Sequence, residues 1–147
     1  MNLSEHFTLA EATFSSTAVS RGLENVPDSE QLGRMKYTAS KMEIVRTVLG
    51  NHPIKVNSWF RGPEVNKAVG GVSTSQHSRG EAVDFTAPFT GSPLEVAKIL
   101  MEHKGLVGYD QLIYEQTWIH ISFVQGKEPR GNELTFLGKG KYAQGIS

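Results

Sequence analysis

Three side chains able to bind a metal stand out by their surroundings. His77 and Asp84 lie in Ser75-Gln76-His77-Ser78-Arg79-Gly80-Glu81-Ala82-Val83-Asp84, and His120 lies in Trp118-Ile119-His120-Ile121-Ser122. Two imidazoles and one carboxylate can hold a divalent zinc ion and leave one position open, which marks a catalytic rather than a structural site. An isolated histidine is ordinarily a surface or hydrogen-bonded residue, and His6, His52 and His103 read that way. His77 differs because the small residues Gly80 and Ala82 separate it from Asp84, where ligands must crowd around an ion. His120 differs because it interrupts an apolar run, so its imidazole faces away from Ile119, Ile121 and Phe123 on an extended strand and needs a polar partner. The same ligand types also serve non-haem iron. Iron oxygenases place their first histidine and carboxylate close together on one strand, whereas here seven positions separate His77 from Asp84. Zinc, one ion per chain, is the better reading.

The elements that must carry these residues follow from local patterns. Thr8-Leu9-Ala10-Glu11 is a capping box opening a short helix. Asn25 to Ser29 reads as a polar link. Leu32, Met35, Ala39, Met42, Val45 and Leu49 recur at helical spacing, and Gly50 stops that helix. Ile54 to Ser58 reads as a strand leading to Arg61, Pro63 to Val69 as a helical turn, and Ala82 to Thr86 as the strand bearing Asp84. Ser92-Pro93-Leu94-Glu95 caps a helix running to about His103. Gln111 to Glu115 and Trp118 to Phe123 then form a hairpin across Gln116-Thr117. Helices and strands alternate without the regular rhythm of a doubly wound sheet, so the expected class is α+β, an antiparallel sheet packed by helices. One domain over residues 1–147 is expected, with a catalytic core of about residues 7–124. The Gly- and Lys-rich tail, residues 125–147, is expected to add an edge strand and then fray.

Composition removes several classes of function. The chain has no cysteine, which excludes disulfide frameworks, thiolate metal sites and cysteine nucleophiles. Lys+Arg and Asp+Glu are both 15, so no net field favours nucleic acid or an acidic membrane surface. No run is long enough to span a bilayer, and Met1 to His6 lacks a basic segment followed by an apolar one, so no export signal is expected.

The ordered combination of Ser58-Trp59-Phe60-Arg61-Gly62-Pro63-Glu64-Val65-Asn66-Lys67-Ala68-Val69-Gly70-Gly71, then Ser75-x-His77-x-x-Gly80-x-Ala82-x-Asp84, then Trp118-Ile119-His120 resembles the M15 zinc peptidases. That family includes D-Ala-D-Ala carboxypeptidases and phage endolysins that cut the peptide stems of peptidoglycan. The resemblance runs from about Phe7 to Ser122. It implies a Hedgehog/DD-peptidase-like zinc peptidase fold, His77, Asp84 and His120 as zinc ligands, and Arg61 as the residue that binds substrate and polarises the scissile carbonyl. Ser75 and Gln76, beside His77, are further candidates for substrate binding. Many members carry a catalytic Glu or Asp three residues before the last histidine, where this chain has Thr117. The hairpin suggests a replacement: if Glu115 pairs with Trp118 and Ile113 with His120, Glu115 and His120 share a face diagonally. Glu115 is therefore the expected general base and Asp110 the reserve.

The resulting expectation is metal-assisted hydrolysis of a peptidoglycan stem peptide by a monomer. The absent export signal fits a phage endolysin, made in the host cytoplasm and acting on the wall or periplasm. Two other readings fit the sequence: a bacterial carboxypeptidase acting on D-Ala-D-Ala termini, and a non-catalytic zinc-bearing binding module. The departure at Thr117 leaves the second open, whereas Arg61 together with Glu115 argues against it.

Overall fold

A computed structural model describes residues 1–147. Two short helices, α1 (Leu9–Thr13) and α2 (Ser16–Arg21), precede the long helix α3 (Ser29–Val48). Strand β1 (Lys55–Ser58) leads through α4 (Pro63–Ala68) and the single-turn α5 (Gln76–Arg79) into β2 (Ala82–Thr86). Helices α6 (Pro93–Glu102) and α7 (Lys104–Val107) follow, then β3 (Gln111–Tyr114), β4 (Ile119–Ser122), β5 (Asn132–Gly138) and β6 (Lys141–Gln144). No helix is long and apolar enough to cross a membrane.

Capping explains several boundaries. Thr8 and Glu11 form the anticipated reciprocal box, as do Ser92 and Glu95. Asp28 and Gln31 form a third, so α3 begins within the segment read as a link. Helix α5, which carries His77, has no periodicity to announce it. It is one turn held by Ser75 at its N-terminus and by left-handed Gly80 (φ 81°) at its end. Gly80 has a packing reason as well as a conformational one: a β-carbon there would stand 2.6 Å from Met35 Cγ of α3. The small residue therefore lets α5 close onto the core rather than making room around an ion.

The six strands form one sheet in the order β1-β2-β4-β3-β5-β6. Four of the five pairings are antiparallel, and β3 and β5 run parallel, which corrects the expectation of a purely antiparallel sheet. The chain leaves β4 and crosses past Arg130 before entering the sheet beside β3 in the same direction. The tail also differs from expectation. It adds two strands, and Ile146 beyond them is buried in the main core cluster.

Alternation along the strands separates the two faces of the sheet. Val83, Phe85, Leu112, Ile119 and Ile121 are fully or almost fully buried and join Met35 and Met42 of α3 and Val96, Ala97 and Leu100 of α6 in one cluster. Burying a large apolar side chain of this kind stabilises the fold by about 1.5–3 kcal/mol. Asp84, Ile113 and His120 point to the opposite face, and their registers align them across three adjacent strands.

Candidate metal centre

The positions of the ligands follow from strand register and one bulge. Asp84 pairs with His120 between β2 and β4, so both side chains stand on the same face. On the other side of β2, the β1 register shifts between Val56 and Ser58, a bulge that bends the chain into Trp59-Phe60-Arg61. The redirected segment holds α5 in place. The Trp59 carbonyl accepts a hydrogen bond from His77 Nδ1 at 2.7 Å, Arg61 N–H donates to the His77 carbonyl at 3.1 Å, and the Trp59 indole donates to the Gly80 carbonyl at 3.2 Å. Thr38 of α3 donates to the same carbonyl at 2.9 Å. The bond from Nδ1 fixes the tautomer of His77 and leaves Nε2 as the atom with a free lone pair, the arrangement that orients a metal-ligating imidazole. The sequence does not locate an acceptor of this kind. A backbone carbonyl carries no residue-type signal, so only the fold could reveal it.

One donor atom from each of His77, Asp84 and His120 lies within 4.8 Å of the others. His77 Nε2 is 3.3 Å from one Asp84 oxygen, and His120 Nδ1 is 2.9 Å from the other. Ligands about 2.0–2.2 Å from a tetrahedral zinc stand roughly 3.3–3.5 Å apart, so the cluster accepts the ion after only a small opening. The electrostatics also suit a cation. Burial opposes ionisation of Asp84, but the two imidazoles outweigh it and hold the carboxyl well below the usual carboxylate range. Burial likewise pushes the His77 pKa down, keeping the imidazole in the neutral form that a metal requires.

Around this centre the other predicted residues separate into two groups. Arg61 is half-buried beside the cluster, close enough for its charge to act on Asp84 and His77, and its buried Nε has no hydrogen-bond partner. The segment carrying it is braced by Asn25, whose amide nitrogen donates to the Thr13 and Phe60 carbonyls and whose oxygen accepts from Gly62 N–H. Asn25 had been read as part of a polar link. Its bracing role depends on contacts distant in sequence.

Glu115 lies just past β3. Its N–H donates to the Trp118 carbonyl at 3.0 Å and Ile113 pairs with His120, the register expected for the hairpin. The turn is completed by Gln116 in a left-handed conformation (φ 71°), which is unusual for a residue with a side chain. Burial raises the pKa of Glu115, the nearby His120 lowers it, and Asp84 raises it again, for a net upward shift. No protein donor satisfies its carboxylate. Trp118 stands opposite it on the same face, part-buried rather than in the core, with its indole N–H unpartnered.

Asp110 and Gln76 are engaged elsewhere. Arg130 makes a two-pronged contact with the buried Asp110 carboxylate, at 2.8 and 3.1–3.2 Å, and also donates its backbone N–H at 2.8 Å. Gln76 Nε2 donates to the same group at 3.1 Å. Asp110 is therefore a brace joining α5 to the start of the C-terminal extension, and its saturated carboxylate is poorly placed to move a proton. One N–H of the Gln76 amide is committed to that brace. Ser75 accepts the His77 N–H at 3.2 Å, and its hydroxyl proton remains available.

The comparisons with known proteins agree with this geometry. Residues 5–122 match the family described as Peptidase M15. A zinc D-Ala-D-Ala carboxypeptidase of Streptomyces albus G is 41% identical over 54 residues, covering 37% of this chain and 21% of that protein. The chain thus spans about a fifth of that relative's length. The family match covers most of the chain, takes in all three donors and stops short of β5 and β6, so the chain belongs to the peptidase M15 family and carries a donor set suited to zinc.

Proposed function

We propose that the protein hydrolyses a peptide bond within peptidoglycan stem peptides, in the manner of a phage endolysin, with His77, Asp84 and His120 holding zinc, Glu115 as the general base and Arg61 as the substrate-binding cation. The observation that carries this reading is that these five side chains converge on one open face of the sheet. None of the molecule's four cavities is lined by a metal donor or by Glu115.

When bound, zinc supplies Lewis-acid activation of water and of the scissile carbonyl. The chain's own residues account for the remaining chemistry. Glu115, with a raised pKa and no competing donor, takes a proton from the attacking water and returns it to the leaving amine. Arg61 offers a guanidinium to the carbonyl oxygen as negative charge develops there, and its partial burial strengthens that interaction. His77 is held in its ligating tautomer by the Trp59 carbonyl. The Ser75 hydroxyl donates to a carbonyl of the substrate.

The carboxypeptidase reading is favoured by one specific observation, the similarity to the zinc D-Ala-D-Ala carboxypeptidase of Streptomyces. Digestion of purified wall fragments, with products weighed by mass spectrometry, separates the two. Cleavage inside the stem supports the endopeptidase, and loss of a single terminal residue supports the carboxypeptidase. Unchanged fragments in the presence of zinc would remove both.

A further inference from the structure

The family match ends at residue 122, yet the sheet that carries the metal centre does not. Strand β5 pairs with β3 so that Leu134 aligns with Ile113, and β6 pairs with β5 so that Tyr142 aligns with Phe136 and Gln144 with Leu134. Because paired residues share a face, Leu134, Phe136, Tyr142 and Gln144 extend the same face that bears Asp84 and His120. Two residues beyond Ile113, just past the end of β3, Glu115 falls level with Phe136 when that register is continued. The amide of Gln116 donates to the Phe136 carbonyl at 2.8 Å and locks the catalytic turn to the new strand. Trp118, Glu115, Phe136 and Tyr142 thus form one row across four strands, with the carboxylate set among aromatic rings.

The two outer rings of this row are not core. Tyr142 is 45% exposed, and its ring lies 5.3 Å from that of Phe136 at 54°. Its register beside Phe136 sets the ring on the face that carries Glu115 and Asp84, and the charges of both carboxylates act on the phenol. Three braces hold the platform in place: the Asp110–Arg130 pair, the Lys104–Glu133 ion pair at 3.2 Å, and the hydrogen bond from the Tyr109 hydroxyl to Glu133.

We infer that Phe136 and Tyr142, contributed by the C-terminal hairpin, form a substrate-binding subsite that packs an uncharged, C–H-rich group of the substrate lying several residues beyond the scissile bond. This rests on the peptidoglycan reading above. Neighbouring strands are about 4.8 Å apart, so the backbone of Tyr142 stands about 14 Å from that of His120 across three steps, and its ring can meet a substrate group up to roughly four residues of extended peptide from the metal donors. Aromatic faces pack well against C–H surfaces and offer no ionic contact, so the group should be an aliphatic side chain of the stem or a sugar ring attached to it. Arg61 marks the opposite side of the metal donors, and a substrate reaching both must extend to either side of the cleaved bond.

The test uses the zinc-loaded full chain and three substrates of increasing reach: a stem fragment too short to pass Glu115, a full-length free stem peptide, and the same peptide bearing its disaccharide. Tyr142→Ala, and Tyr142→Thr as a variant suited to an edge strand, should raise KM at least about fivefold for whichever long substrate supplies the packed group. In both variants kcat, zinc content and KM for the short fragment should stay unchanged. Tyr142→Phe should match wild type, since the ring and not the hydroxyl makes the contact. A defect with the free peptide assigns the group to the stem, and one confined to the glycosylated peptide assigns it to the sugar. Unchanged KM for both long substrates, or an equal rise for all three, would overturn the subsite and leave the peptidase reading intact. Failure of wild type to cleave any of the three would remove that reading and this inference with it.

Discussion

The two ends of β3 each carry a carboxylate, and the structure treats them in opposite ways. At the entry, Asp110 is almost fully buried and saturated by Arg130 and Gln76. Burial works against its charge, but the hydrogen bonds from Arg130 win and hold its pKa below the usual range. At the exit, Glu115 is part-buried with no protein donor, and its pKa is raised. A buried carboxylate whose partners satisfy it stabilises the fold; one left unsatisfied beside a metal site is poised to exchange a proton. The arginines repeat the contrast. Arg130 is mostly spent on Asp110, whereas Arg61 keeps a buried Nε without a partner near the metal donors.

The sharpest break of this comparison is Glu115→Gln, which should lower the rate of wall-peptide cleavage at least about a hundredfold, the range for losing a general base. Zinc content should not change. The same substitution should not lower the melting temperature of the zinc-free protein. A carboxyl whose folded-state pKa is raised destabilises the fold at pH values above it, so removing the charge relieves a cost. Near-normal cleavage would remove Glu115 as the base.

Arg61→Lys should come next, with activity falling about tenfold as the planar two-pronged donor is lost while its charge is kept. Zinc content and melting temperature should stay as in wild type. A lowered melting temperature with intact activity per folded molecule would instead place Arg61 in the scaffold.

Asp110→Asn should show the reverse of Glu115→Gln. Leaving a buried network short of its charged acceptor should cost about 1–3 kcal/mol in urea unfolding. Cleavage per folded molecule should stay within a few-fold of wild type. If cleavage instead collapsed while stability held, the roles of the two carboxylates would have to be exchanged.

The smallest effect is in the pH dependence of stability. The folded-state pKa of Asp110 is depressed, so its contribution is present above the ordinary aspartate value near 3.9 and is lost as pH falls through the folded value. Arg130→Ala should be less stable than wild type at neutral pH, and the gap should narrow on acidification below that range. A gap independent of pH would mean that Arg130 acts through packing alone.

What was legible in the sequence was local. His120 and the residues around it declared a strand with a polar interruption, Thr8 and Ser92 announced their capping boxes, and the residue types of His77, Asp84 and His120 already specified two imidazoles and a carboxylate. These signals depend on the next few residues, through strand alternation, helix spacing and capping chemistry, so the chain displays them without its fold. The hairpin register placing Glu115 on the face of His120 belongs with them, because a two-residue connection leaves little freedom. Tertiary structure decided the rest. That the Trp59 carbonyl orients His77, that Asn25 braces Arg61, that Asp110 is taken by Arg130, and that β5 enters parallel to β3 all depend on pairings between residues far apart in sequence. A backbone carbonyl, an asparagine in a link and a glycine-rich tail look alike in many proteins. Only long-range packing and register choose their partners, and here that choice made one carboxylate a brace and left the other free beside the metal site.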